Sequence, residues 1–446
     1  MYITHSRLIG KSIIALGLLL FTATVALAQN DDAINTFTPY SFYGVGDLMR
    51  PGTPYNRAMG GIGTGVRTSR QINFLNPAAL TAQDSLAFMI DFGFESQNYY
   101  SAYYSADPND KELRKAASNN VNVHHLGMSF PIARKLVVGV GLFPYSNVGY
   151  RMQRTETDPE IIAAVGNIYY KYQGEGGINQ VAFSLGYAIS NRLSIGAQAQ
   201  YYFGAIDHYS NIINTTNPYF SNVISGTSLK VGNFGASLGA QYDHPLNKDL
   251  RLTVGATYQF TTPLGSRYLD FAYAHTGALV DTVRYTDKKG ASISIPQTFS
   301  LGVSIRKGDL WMAGLEYVYQ DWNDKALNDT SFQQIRFTVT PGHLFRAGAE
   351  WTPRRGDFRN YLNRCTYRIG FNYEKTYMNF NNHQINDIGA SIGFGFPINR
   401  WNTGINVAAE IGQRGTTRHG LIRETYFKFS VSFSLYDIWF FKQQID

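Results

Sequence analysis

From about residue 86 onward, side chains alternate between apolar and small or polar types in one stretch of about ten residues after another. In residues 251–260, Leu252, Val254, Ala256, Tyr258 and Phe260 share one parity; Arg251, Thr253, Gly255, Thr257 and Gln259 share the other. In residues 389–396, Ala390, Ile392, Phe394 and Phe396 alternate with glycines and Ser391. In residues 426–435, Phe427, Phe429, Val431, Phe433 and Leu435 alternate with Tyr426, Lys428 and three serines. Successive side chains of a strand point to opposite faces, so each stretch is a two-faced strand.

Two-faced strands fit a soluble sandwich or a membrane barrel. The barrel is favoured on three grounds. The strands are about ten residues or longer, enough to cross a bilayer at a tilt. The non-apolar face carries Gly, Ser and Thr rather than solubilising lysines, and charged residues make up only 16% of the chain, against about a quarter in ordinary domains. Aromatic rings flank many strands, as at Trp311, Tyr317, Tyr319 and Trp322, and suit the headgroup boundary. Only a closed sheet leaves no unpaired edge in lipid.

Strands are expected near 86–99, 122–130, 136–144, 180–187, 193–202, 230–242, 251–261, 292–305, 311–320, 335–351, 366–377, 384–396, 403–412 and 425–435. That is an all-β, 14-stranded antiparallel transmembrane β-barrel, an even count as single-chain bacterial barrels have. Pro341-Gly342 inside the tenth segment reads as an interruption, not a turn. Links at 133–135, 189–191, 245–249, 307–309 and 399–402 are short; those at 101–121, 145–178, 204–229, 262–291 and 321–334 are long. Short turns of such barrels face the periplasm, which puts the termini there.

The N-terminus reads as a secretory signal over residues 1–28. Arg7 and Lys11 precede an apolar run, and Ala26-Leu27-Ala28 is a small-x-small cleavage site. Residues 29–84 form a compact glycine-rich hatch and residues 85–446 the barrel. The expected location is the cell outer membrane.

Given that barrel, the inward face carries the chemistry. In the first half it is mostly Gly, Ser, Thr, Asn and Gln. In the second half Glu316, Arg346, Glu350, Arg368, Glu374, Glu410 and Lys428 fall on it, as ion pairs lining the wall or gripping a plug. Pro144, on the third strand, marks a wall interruption or a strand end. His124 and His125 are adjacent and read as facing opposite sides, poor partners for one metal. No serine, histidine and carboxylate are brought together by the pattern. The lone Cys365 reads as a wall residue. Gly60-Gly61-Ile62-Gly63-Thr64-Gly65 lacks the strand and lysine of a phosphate loop. No catalysis, cofactor or metal is expected. The net charge of +7 is scattered, which argues against nucleic acid as a partner.

Asn76-Pro77-Ala78 closes the glycine-rich segment just before the first strand. With Phe42-Tyr43-Gly44-Val45-Gly46-Asp47-Leu48, the glycines of residues 58–65, and Gly141-Leu142-Phe143-Pro144-Tyr145-Ser146, it resembles the long-chain fatty-acid transporter family of outer-membrane barrels, above all its Bacteroidota branch. The resemblance implies a hatch inside fourteen strands, with Asn76, Pro77 and Ala78 as the hatch motif. It also implies passive uptake of a hydrophobic ligand such as a long-chain fatty acid, gated by the hatch and released toward a lateral wall opening, with outer-membrane lipid around the barrel. The alternative within that fold is a non-transporting subunit of a secretion or surface-protein assembly complex, whose other subunits would then be its partners.

Overall fold

The computed structural model describes residues 36–104, 112–217, 220–265, 267–276, 279–290, 293–323, 327, 336–398 and 403–438. The leader, the 399–402 turn and the aromatic C-terminal tail lie outside them.

Fourteen antiparallel strands close on themselves. They are β1 (Ala87–Tyr104), β2 (Leu113–Ala133), β3 (Leu136–Asn147), β4 (Ile168–Ala188), β5 (Leu193–Asn214), β6 (Asn222–Pro245) and β7 (Leu250–Gln259). The second half is β8 (Thr298–Lys307), β9 (Trp311–Gln320), β10 (Gly342–Trp351), β11 (Thr366–Phe380), β12 (His383–Pro397), β13 (Gly404–Gly415) and β14 (Arg423–Ile438). The seam joins β1 to β14, from Ala87 opposite Ile438 to Ala102 opposite Arg423. Phe183, Leu185, Leu315, Ile369 and Ile392 stand exposed on the outer wall, an apolar belt suited to hydrocarbon.

The tenth segment is interrupted where the prolyl ring falls. Phe337–Val339 pairs with the far end of β11, and β10 begins at Gly342, so the strand count is unaffected. The long links differ from expectation. β2, β4, β5 and β6 run for 21, 21, 22 and 24 residues, and much of the 145–178 and 204–229 links is strand. Within the 262–291 link, Arg267–Thr276 pairs with β6 and with Leu279–Lys289, extending the sheet past the barrel rim. Beyond the bilayer both faces meet water, so period-two hydrophobicity fades although the ladder continues.

Residues 36–84 lie inside the ring. Toward the long-loop end, Tyr40 and Val45 are buried among Tyr150, Tyr202, Trp322, Phe337 and Phe380 in an aromatic core. Toward the short turns, Phe74 and Leu80 pack with Met89, Val137, Phe143 and Tyr436. Tyr55, Met59, Ile62 and Val66 form a third cluster with Met312 of β9. Polar and charged groups fill the space between. Wall glycines let the hatch backbone lie flat on the strands. A Cβ on Gly370 would fall 1.9 Å from the Gly60 nitrogen, and Gly60 itself has φ +69, a conformation that favours glycine.

Candidate functional site: the hatch–wall interface

Arg57 ends the short hatch helix Pro54–Arg57 and is buried. Its Nε donates to Glu410 of β13 at 2.5 Å, and its guanidinium grips Glu95 of β1, with one contact at 3.1 Å. Arg50 reaches Glu410 and Asp387, each at 2.9 Å, and Asn372 at 3.0 Å. Asp47, in the hatch strand Asp47–Leu48, accepts from Arg414 at 2.5 Å and from the Tyr99 hydroxyl at 3.1 Å. Burial alone would raise the Asp47 carboxyl, but the Arg414 and Lys428 charges outweigh it and hold its pKa below the ordinary value. Burial would lower the Arg57 pKa; Glu410 and Glu95 instead raise it. Buried charges cost several kcal/mol of desolvation each unless paired and hydrogen-bonded, and here the partners come from opposite sides of one interface.

The seven charges predicted on the inner wall take distinct positions. Glu316 accepts from the backbone N–H groups of Gly63 and Thr64, each at 2.7 Å, and from Arg346 at 3.0 Å. Arg346 also donates to the Gly61 carbonyl at 3.2 Å. Glu350 sits between Arg306 at 2.9 Å and Arg368 at 3.4 Å, and Arg368 lies over the Tyr55 ring. Glu410 takes the two hatch arginines. Lys428 lies over the rings of Tyr99 and Tyr426. Glu374 lines a cavity of about 10 Å³ with Arg50 and Arg346.

Asn76 caps the 3-10 helix Pro77–Ala82. Its Oδ1 accepts from the Ala78 N–H at 3.0 Å. Its Nδ2 donates to the Thr64 carbonyl at 2.9 Å and to the Ala240 carbonyl of β6 at 3.1 Å. One side chain thus ties the glycine loop, the helix start and the wall together. Pro77 stands at the first helical position, where it has no amide to satisfy. Ala78 is buried where the helix meets the wall.

Beside the small and uncharged polar residues expected of the first-half lumen, Asp91, Glu95, His124 and His125 are buried there. One sequence expectation fails: the two histidines do not face opposite sides. Gly93 pairs with His125 and Phe94 with Val123, so His124 is an extra residue on β2. This β-bulge turns both rings inward, with the two Nδ1 atoms 2.9 Å apart. His125 Nε2 meets Asp91 at 2.5 Å, and Ser434 donates to the other oxygen of Asp91. A serine, a histidine and a carboxylate therefore do come together. The serine proton goes to the carboxylate rather than to an imidazole, which is not the order a nucleophilic serine needs. Among the described residues no group of three or more His, Cys, Asp and Glu is arranged to hold a metal ion.

The wall parts between β2 and β3. Their pairing ends at Leu126 opposite Leu142, while β3 continues against β4 through a register shift between Pro144 and Ser146. Past the shift, Ser146 and Asn147 pair with the hatch strand instead. The ring of Phe143 stacks on His125 and meets Phe74 edge-on beside the parting.

A model of the family described as BamG matches residues 9–446. No curated protein matches. Among solved structures, the Pseudomonas putida toluene transporter TodX matches with a TM-score of 0.60 at 15% identity, covering 89% of this chain and 100% of that one. The Ralstonia pickettii toluene transporter TbuX gives 0.55 at 15% identity, covering 86% and 98%. A Pseudomonas aeruginosa FadL homologue gives 0.54 at 15% identity, covering 88% and 100%. At that identity the likeness is one of fold.

Proposed function

The chain belongs to the BamG family, and from that premise and its packed lumen we propose that it is a non-conducting outer-membrane barrel that binds partner proteins in a secretion or surface-protein assembly complex. Its short turns and the end of β14 face the periplasm and its long hairpins face outward, while the first hatch residues, Thr36 to Val45, pack at the long-hairpin end of the lumen rather than at the short turns, where the sequence placed both termini. One observation carries this reading: residues 36–84 fill the ring through aromatic, charged and apolar layers. A gate that swings must break its contacts cheaply. This hatch is held instead by buried ion pairs to β1 and β13, by backbone N–H groups that donate to Glu316 of β9, and by backbone contact with wall glycines. Two cavities at its edge measure about 50 and about 10 Å³, and the larger is lined mainly by polar and charged groups. Neither would take a hydrocarbon chain.

The test has two arms. Purified barrel in liposomes should pass neither toluene nor oleate above the lipid background. Cross-linking in native outer membranes should join it to other subunits. Uptake at the rate of a toluene channel, with no cross-linked partner, would overturn the reading.

A second reading is passive uptake of hydrophobic molecules, with long-chain fatty acids as the expected substrates. It draws support from the parting between β2 and β3, where Phe74, Phe143 and His125 stand in the gap, and from solved barrels named as toluene transporters. It requires those rings to move aside, so Phe143→Ala would raise uptake if this route operates.

A further inference from the structure

The turn between β10 and β11 is the exception among the short turns. It spans residues 352–365 and carries Arg354, Arg355, Arg359 and Arg364 against the single acid Asp357. It is built rather than slack. Asp357 accepts from the N–H groups of Arg359 at 2.9 Å and Asn360 at 3.1 Å, and from Asn363 Nδ2 at 2.7 Å. The Tyr361 hydroxyl donates to the Pro397 carbonyl at 3.1 Å, tying the turn to β12. Phe358 and Leu362 are exposed on it.

Beside this turn a cavity of about 50 Å³ opens between hatch and wall. Five arginines line it, Arg70, Arg306, Arg355, Arg364 and Arg368, against two carboxylates, Asp309 and Glu350. Both carboxylates are already engaged, Asp309 by Arg70 and Glu350 by Arg306 and Arg368. By formal charge the lining holds more cations than anions, and Arg364 lies over the rings of Phe358 and Tyr361. That space is ample for a carboxylate and its hydration. A guanidinium offers a planar fork of donors that matches a carboxylate.

We propose that this cavity and the 352–365 turn form a docking site for an acidic segment of a partner protein, with one carboxylate entering among the arginines and apolar side chains meeting Phe358 and Leu362. The inference rests on the reading of the barrel as a partner-binding subunit. Geometry favours a peptide over a lipid headgroup. The cavity lies inside the barrel mouth, walled on one side by Tyr55, Thr68 and Gln71 of the hatch, whereas lipids reach only the outer wall.

The test measures binding of a short fluorescein-labelled peptide of alternating Glu and Leu to the full-length barrel in detergent, by anisotropy. Wild type should bind, more weakly as salt rises. Arg355→Glu with Arg364→Glu should weaken binding about tenfold or more, as loss of complementary charge does. Lys115→Glu, exposed at the opposite end, should bind as wild type. Heat-shifted gel mobility shows that each variant is folded. Absence of peptide binding, an equal affinity in the double variant, or displacement of the peptide by short-chain phosphatidylglycerol would overturn the proposal. Because the measurement uses the isolated barrel, its failure bears on this site alone, and failure to recover a complex from membranes bears on the proposed function.

Discussion

The Nε of Arg57 lies 2.5 Å from a carboxylate oxygen of Glu410, although 353 residues separate them in the chain. The same guanidinium holds Glu95, so one hatch side chain bridges two acids on either side of the barrel seam, with Arg50 supplying the second charge at Glu410.

Arg57→Ala should leave Glu95 buried without its arginine and Glu410 with Arg50 alone. Breaking a buried pair costs about 3–5 kcal/mol, and that loss should fall on hatch docking. Hydrogen exchange across residues 54–66 should rise by orders of magnitude while the β-sheet signal persists. Unchanged protection would refute the clamp.

Asn76→Ala removes a helix cap and two donors. Loss of such a cap costs about 1 kcal/mol, and the orphaned carbonyls of Thr64 and Ala240 add to it. Asn76→Ser keeps a cap acceptor for the Ala78 N–H and loses the two carbonyl contacts, so it should fall between wild type and alanine in urea unfolding. If serine and alanine behave alike, the cap contributes nothing.

Gly370→Val sets a side chain into the Gly60 backbone. The strand can still form, but the hatch cannot seat. Limited trypsin digestion should cut at Arg57 in the folded variant and spare it in wild type. Equal resistance would show that the close approach is dispensable.

The Asp47 tether should be sensitive to acid. Its folded pKa lies below the ordinary 3.8, so its stabilisation is present above 3.8 and is lost as pH falls through the folded value. Protection of residues 36–48 should hold from pH 7 to pH 5 and fall off below pH 4. Asp47→Asn should flatten that profile, and a variant with the wild-type pH dependence would assign the effect elsewhere.

Cys365 should be silent to thiol reagents. Burial pushes its thiol up to about 11, so the nucleophilic thiolate is scarce at neutral pH. Maleimide at pH 7 should label it only after denaturation. Rapid labelling of folded barrel would contradict its burial.

The barrel itself was legible because lipid and lumen impose opposite chemistry on alternate residues. Glu316, Arg346 and Glu350 could be placed on the inner face by parity alone. Their partners could not, since the Gly63 and Thr64 amides that meet Glu316 carry no side-chain signal. Arg50 and Arg57 were passed over in a segment read for its glycines, although an arginine beside a glycine run bound for a closed lumen needs an acid. Parity also misplaced His124, because a single bulged residue inverts the phase it relies on. The glycines of the inner face held the clearest unread information. A water-filled lumen has no need of residues without side chains, whereas one occupied by backbone does.

The seam gives the Arg57 clamp a mechanical meaning. Glu95 stands on β1, the first strand, and Glu410 on β13, next to the last. A ring zipped shut around an empty interior would trap both acids without the guanidinium that reconciles them. The docked segment is thereby a cross-brace between the two ends of the sheet: a strand near the start of the ring and one near its end meet through a side chain that belongs to neither.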